Sequence, residues 1–220
     1  MEAIVWHSRM MSDGRIGDKP GVAVKWFGQE WNPPTHFPPP WPMGRADELF
    51  LYARGEPLPR ETLPEALYVF DRKRFDRMGD LFAAEGVYVV QGKLAQVLSR
   101  FDLGRGGLIP ITIFHDDKAT PVAGQFFFWT FGQKNAFLPQ ESPKISPAGF
   151  GMMVEKDRWR VGSEVEDDDV VLSAEKSCGP PDVWCDPRLM WSLFLSDAFV
   201  AALRAAQVKT NFHLHRCRLV

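Results

Sequence analysis

The chain has 220 residues, of which 45% are hydrophobic and 25% charged, with a formal net charge of −2. That size suits one medium domain or two small ones, and it buries roughly 70% of the surface of the unfolded chain without needing staples. The slight acidity excludes the basic excess that neutralises a phosphate backbone, and no run nears the ~20 apolar residues of a membrane helix. Neither nucleic acid nor membrane is therefore an expected partner.

Residues 1–78 read as a loop-rich part packed on the rest. Short strands are expected at Ala3–Trp6, Val22–Phe27 and Leu67–Phe70, where apolar residues alternate or cluster. Residues 33–42 lie in the stretch WNPPTHFPPPWP, and the 18 prolines of the chain are densest there. Proline lacks the amide proton and fixes its own φ, so a helix or a central strand is excluded. The segment reads either as a loop laying Trp31, Phe37 and Trp41 on the core or as an exposed contact loop.

Residues 79–220 carry alternating strand and helix signals. Arg74–Ala84 is ambiguous because Gly79 weakens a helix. A strand at Val87–Val90, a helix at Gly92–Phe101, a glycine cap at Gly104–Gly107 and a strand at Leu108–Phe114 follow. Gln125–Phe131 (QFFFWTF) reads as a strand buried on both faces. Gly132–Gly151 reads as loop, Val170–Leu172 as a short strand and Cys178–Pro187 as a rigid connector. Ser192–Leu195 is an expected strand, Ser196 or Asp197 a helix cap, Ala198–Gln207 a helix and Asn211–Leu219 a final strand.

Val87–Phe114 and Trp191–Leu219 thus share one pattern, with Leu94, Leu98 and Phe101 matching Phe199, Leu203 and Ala206 at helical spacing. The two copies read as an internal duplication. The expected class is α+β: a mixed β-sheet with few helices, two strand–helix–strand units in the C-terminal two thirds, and a loop-rich N-terminal part.

Chemistry is sparse. The phosphate loop, the dinucleotide glycine motif, the serine elbow and the HExxH and CxxC signatures are all missing. His213, His215 and Cys217 alternate on the last expected strand and share a face, as zinc ligands might be arranged. Successive members stand about 7 Å apart, awkward for one tetrahedral ion, so an edge strand is the plainer reading and no metal or cofactor is expected. Asp182 and Asp186 beside Cys178 and Cys185 would raise a thiol pKa, which favours structural cysteines. His7, His36 and His115 are isolated, and no catalytic residue is assigned. Residues 1–11 lack a secretory signal, and three cysteines are an odd number, so reduced thiols in the cytoplasm are expected.

The acidic stretch Glu164, Glu166, Asp167, Asp168 and Asp169 reads as a solvated loop or as a docking patch for a basic partner. With Trp31 and Trp41 it makes up the candidate partner-binding set.

Several strings carry a family resemblance: Val90–Leu98 with Phe101–Gly104 and Leu108–Ile111, Phe131–Lys134 with Ala136–Leu138, Gly179–Trp184 with Asp186–Leu189, and Phe194–Ser196 with Ala201–Leu203. From about Phe82 onward the chain resembles the eleventh class of immunity proteins in bacterial polymorphic-toxin systems, formerly a domain of unknown function. The resemblance implies a cytoplasmic, non-catalytic protein that binds a cognate toxin and occludes it. A general protein-interaction module, or a metal-dependent enzyme built on the C-terminal His/Cys strand, are the alternatives.

Overall fold

The computed structural model describes residues 3–17, 20–34, 46–150, 153–162 and 164–220. Strand β1 (Val5–Ser8) is followed by the helical turn α1 (Gly14–Gly17), β2 (Val22–Lys25), helix α2 (Ala46–Ala53) and β3 (Ala66–Val69). The turn α3 (Arg72–Phe75) leads into β4 (Leu81–Ala84), β5 (Val87–Val90) and helix α4 (Gly92–Leu98). Next come β6 (Gly107–Ile111), β7 (Ile113–Phe114), β8 (Phe126–Thr130), β9 (Gly132–Gln133) and the hairpin β10 (Ile145–Phe150) and β11 (Met153–Val161). The chain continues through β12 (Val171–Leu172), α5 (Ala174–Ser177), β13 (Val183–Cys185), β14 (Leu189–Met190) and β15 (Leu193–Ser196). It closes with helix α6 (Asp197–Ala205), β16 (Leu214–Arg216) and β17 (Arg218–Leu219). The class is α+β, and no helix among the described residues is long and apolar enough to cross a membrane.

Two sheets organise the molecule. One has the order β4-β5-β8-β6 with antiparallel neighbours throughout. The other has the order β16-β1-β15-β13-β9, antiparallel until the last pair. The strand–helix–strand units β5-α4-β6 and β15-α6-β16 therefore share a topology. In each, the helix joins two parallel strands that are held apart by one antiparallel strand. That inserted strand is β8 in the first unit and β1, from the other end of the chain, in the second. The two helices pack together, with Phe101 and Phe199 edge to face at 5.1 Å.

Each helix has a local cause. Ser196 Oγ accepts the Phe199 amide at 3.2 Å and caps α6. Phe199, Val200 and Leu203 face inward. The helix stops where Gln207 turns to φ +53° and the Val208 amide reaches back to the Leu203 carbonyl at 3.1 Å. Helix α4 is capped from outside, its Leu94 amide meeting Asp80 Oδ2 at 3.3 Å. It is shorter than its apolar spacing suggests. The amides of Arg100 and Phe101 bond to carbonyls three residues back, tightening the chain after Leu98. The glycines behind it serve close approach: a Cβ on Gly106 would lie 2.4 Å from the Thr130 carbonyl oxygen.

A main core fills the space among α2, the β2–β8 strands, α4 and α6. A smaller one, with Phe137, Leu172, Trp184, Phe194 and Cys217, lies beside the five-stranded sheet. In β8, Phe126, Phe128 and Trp129 are buried while Phe127 and Thr130 are half-buried, close to the doubly buried strand expected.

Several expectations need correction. Leu108–Phe114 is not one strand: β6 pairs with β8, and β7 leaves for a pairing with β3. Residues 132–151 are not loop: they contain β9 and β10. Pro147 fits because β10 is an edge strand and its register with β11 shifts between Pro147 and Gly149. The 178–187 connector holds β13, buried between β15 and β9. Asn211–Leu219 is not one strand: β16 pairs with β1, Cys217 donates its amide to the Val5 carbonyl at 2.9 Å, and β17 leaves for a pairing with β12.

Candidate functional site

The acidic stretch lies along the outer edge of β16. The Asp168 amide donates to the Arg216 carbonyl at 2.8 Å, and the Arg216 amide donates to Asp167 Oδ1 at 2.8 Å. The Arg216 guanidinium pairs with Asp168 at 2.9 Å. Asp169 is buried, accepts the Glu166 amide at 2.6 Å and pairs with Lys144 at 3.1 Å. Lys144 also pairs with Glu166 at 2.9 Å and donates to the Glu164 carbonyl at 3.1 Å. Burial would push the Asp169 carboxyl up, but the Glu166 amide and Lys144 outweigh it and hold it below its ordinary value. The carboxylates of Glu166, Asp167, Asp168 and Asp169 thus have partners inside the chain. The loop satisfies an open strand edge, a position that otherwise invites pairing with other chains.

The C-terminal histidines and cysteine do not converge. His213 sits at φ +48°, and its Nε2 lies 2.8 Å from Asp13 Oδ2. The Arg15 guanidinium on the same carboxylate holds Asp13 well below the usual carboxylate range. His215 lies opposite His7 across β16 and β1, their rings 6.4 Å apart. Cys217 is buried, and burial pushes its thiol up. Among the described residues no group of three His, Cys, Asp or Glu could hold a metal ion.

His7 was hidden in the sequence by its isolation. It is fully buried in β1, with Nε2 3.0 Å from Ser192 Oγ. Ser192 Oγ also donates to the Met190 carbonyl at 3.2 Å, and His7 Nδ1 has no hydrogen-bond partner. Burial, with His215 and Arg9 adding to it, pulls the His7 pKa down to about 3. A neutral imidazole sits on β1 between β16 and β15, sealed from solvent together with Ser192.

Trp31 stands at a different place, beside the sheet of order β2-β3-β7. Its half-buried ring is wedged edge-on against Tyr68 at 5.2 Å and Phe114 at 6.0 Å. Lys25 lies 5.9 Å from the Trp31 ring, and Lys118 lies 4.6 Å from the Tyr68 ring. In the same turn Phe27 is 37% exposed, with the Arg60 guanidinium 5.0 Å from its ring. Arg60 and Lys25 are linked through Glu65, whose carbonyl accepts from Arg60 and whose carboxylate pairs with Lys25 at 3.2 Å. The sequence singles out Trp31 but not Phe27 or Arg60, whose meeting depends on the β2–β3 pairing. Trp41, with Phe37 and His36, lies outside the described residues.

All three cysteines are free. Burial and then Asp186 push the Cys185 thiol up, the direction expected. Cys178 is exposed beside a turn plugged by Lys134, which donates to the Ser177 and Gly179 carbonyls at 2.9 and 2.6 Å and lies 4.0 Å from the Trp184 ring. No protein-family model matches the chain, and no curated protein matches it.

Proposed function

We propose that this chain is an immunity-type binding protein that neutralises a cognate bacterial toxin in the cytoplasm by covering it, without catalysis. The observation that carries the proposal is the aromatic and cationic patch of Phe27, Trp31, Lys25, Arg60 and Lys118. Tryptophan, tyrosine and arginine dominate the few residues that supply most of the energy in protein interfaces. Here the Trp31 ring is fixed by Tyr68 and Phe114 before any partner arrives, so little side-chain entropy remains to be lost on binding. The cations around it steer a partner with an acidic face. The acidic loop at 164–169 contributes less, because Lys144 and Arg216 already engage its carboxylates.

Co-expression with the product of the adjacent gene tests the reading. Growth rescue and co-purification are expected, and Trp31→Ala is expected to weaken the complex; its thermal midpoint is measured alongside, because the ring also packs on Tyr68 and Phe114. Toxicity unrelieved by the chain, with no co-purification, sinks it. A stable complex with a non-toxic protein would instead favour a general interaction module.

A further inference from the structure

The two helices that join the strand–helix–strand units leave an open groove of about 630 Å³ between them. We propose that this groove is a docking site for an acidic amphipathic helix of a protein partner. One wall is Lys93, Gln96, Val97 and Arg100, spaced as one face of α4 and its trailing turn. The opposite wall is Ala202, Ala205 and Ala206, the outward stripe of α6. Lys93, Gln96, Arg100 and Ala205 are exposed, and Val97 is buried at the floor.

Charge decides the occupant. Among the described residues no acidic side chain lines the groove, and neither Lys93 nor Arg100 is in an ion pair there. The two unpaired cations are seven residues apart, about 10 Å along a helix axis. Two carboxylates two turns apart on a partner helix match that separation. The alanine wall has no bulk to hold such a helix away, so its axis can approach to the usual 8–10 Å of helix packing. Two cations are too few to track a phosphate backbone, which separates this groove from a nucleic-acid surface.

The inference rests on the binding-protein reading but is tested apart from it. The full chain, labelled with ¹⁵N, is titrated with a synthetic helix-forming peptide of about 18 residues. The peptide carries two glutamates seven positions apart on an alanine and leucine face. Shifts are expected at the amides of Val97, Ala202, Ala205 and Ala206. They should fade as salt rises from roughly 50 to 300 mM. The same peptide with lysines for glutamates should leave these amides unmoved, as should the Lys93→Glu/Arg100→Glu variant with the glutamate peptide. Both substituted side chains are exposed, so the variant is expected to fold, which its thermal melt verifies. No shift at millimolar peptide, or equal binding by the lysine peptide, overturns the groove.

With the toxin, the double variant should lose affinity about tenfold or more. Wild-type rescue with an equally competent double variant removes the groove and leaves the function standing. Failure of wild type to rescue removes the function, and the peptide titration still decides the groove.

Discussion

The two strand–helix–strand units have one topology and opposite interiors. The inserted strand of the first, β8, buries Phe126, Phe128 and Trp129. The inserted strand of the second, β1, buries His7 and Ser8, with Ser192 beside them. Ser8 Oγ donates to the Phe212 carbonyl at 2.5 Å and accepts the Met10 amide at 3.2 Å. Apolar packing in β8 tolerates other side chains of similar volume, whereas the hydrogen bonds of β1 need their particular donors and acceptors. The comparison teaches that the same layout can be held by contact area in one copy and by directional polar contacts in the other. The second choice makes that copy sensitive to protons.

Cutting the aromatic centre should give the largest effect. Phe128→Ala removes a fully buried ring and is expected to lower stability by about 3–5 kcal/mol, measured by urea unfolding at neutral pH. The loss should be the same at pH 7 and pH 5, because the charged group over the ring, Arg60, keeps its proton throughout that range.

Acid should act on the other copy. The folded His7 pKa is near 3 against 6.5 for the ordinary group. The unfolded chain therefore takes up the proton first as pH falls. Stability from neutral His7 is complete above about pH 6.5 and drains away down to about pH 3, on the order of a few kcal/mol. His7→Leu should flatten that part of the stability–pH curve. A variant curve parallel to wild type would show that the polar centre is not the acid-sensitive element.

The helix caps sharpen the contrast on a smaller scale. Ser196→Ala removes a cap supplied by the residue next to its own helix, and a loss of about 1 kcal/mol is expected. Asp80→Ala removes a cap supplied to α4 from the turn before β4, and a similar loss is expected, about 1 kcal/mol. Hydrogen exchange should localise the first loss to α6 and spread the second over both α4 and β4. The smallest effect belongs to Lys144→Ala, whose ammonium is exposed although its partner Asp169 is buried. It should destabilise slightly, and more at low salt than at high salt.

Elements whose causes are local were legible in the sequence. The Ser196 cap and the alanine-rich run announce α6, the VYVV run announces β5, and the aromatic run announces β8. Elements whose causes are distant were not. Helix α2 follows the proline-dense segment, and its acidic first turn, Asp47 and Glu48, was the one signal available. Proline in β10 and the Gly-Pro-Pro run before β13 read as breakers until their sheet positions are known. The strand expected at Ala3–Trp6 is shifted to Val5–Ser8, so His7 fell outside it and its place beside Ser192 could not be foreseen. The acidic residues were visible as a charge run, but their partners Lys144 and Arg216 lie some 20 and 50 positions away. Trp31 stands out in the sequence as a large aromatic, but its neighbours are set by strand pairing.

The placement of β1 between β15 and β16 has a consequence for biosynthesis. The first unit can close on the ribosome once Thr130 has emerged. The second cannot, because its central strand, Val5–Ser8, is translated long before both of its flanking strands, which lie within residues 193–216. At elongation speeds of roughly 5–20 residues per second, Val5–Ser8 waits on the order of ten to forty seconds for its neighbours. Through that interval a nascent chain presents an unpaired strand to chaperones and to other polysomes.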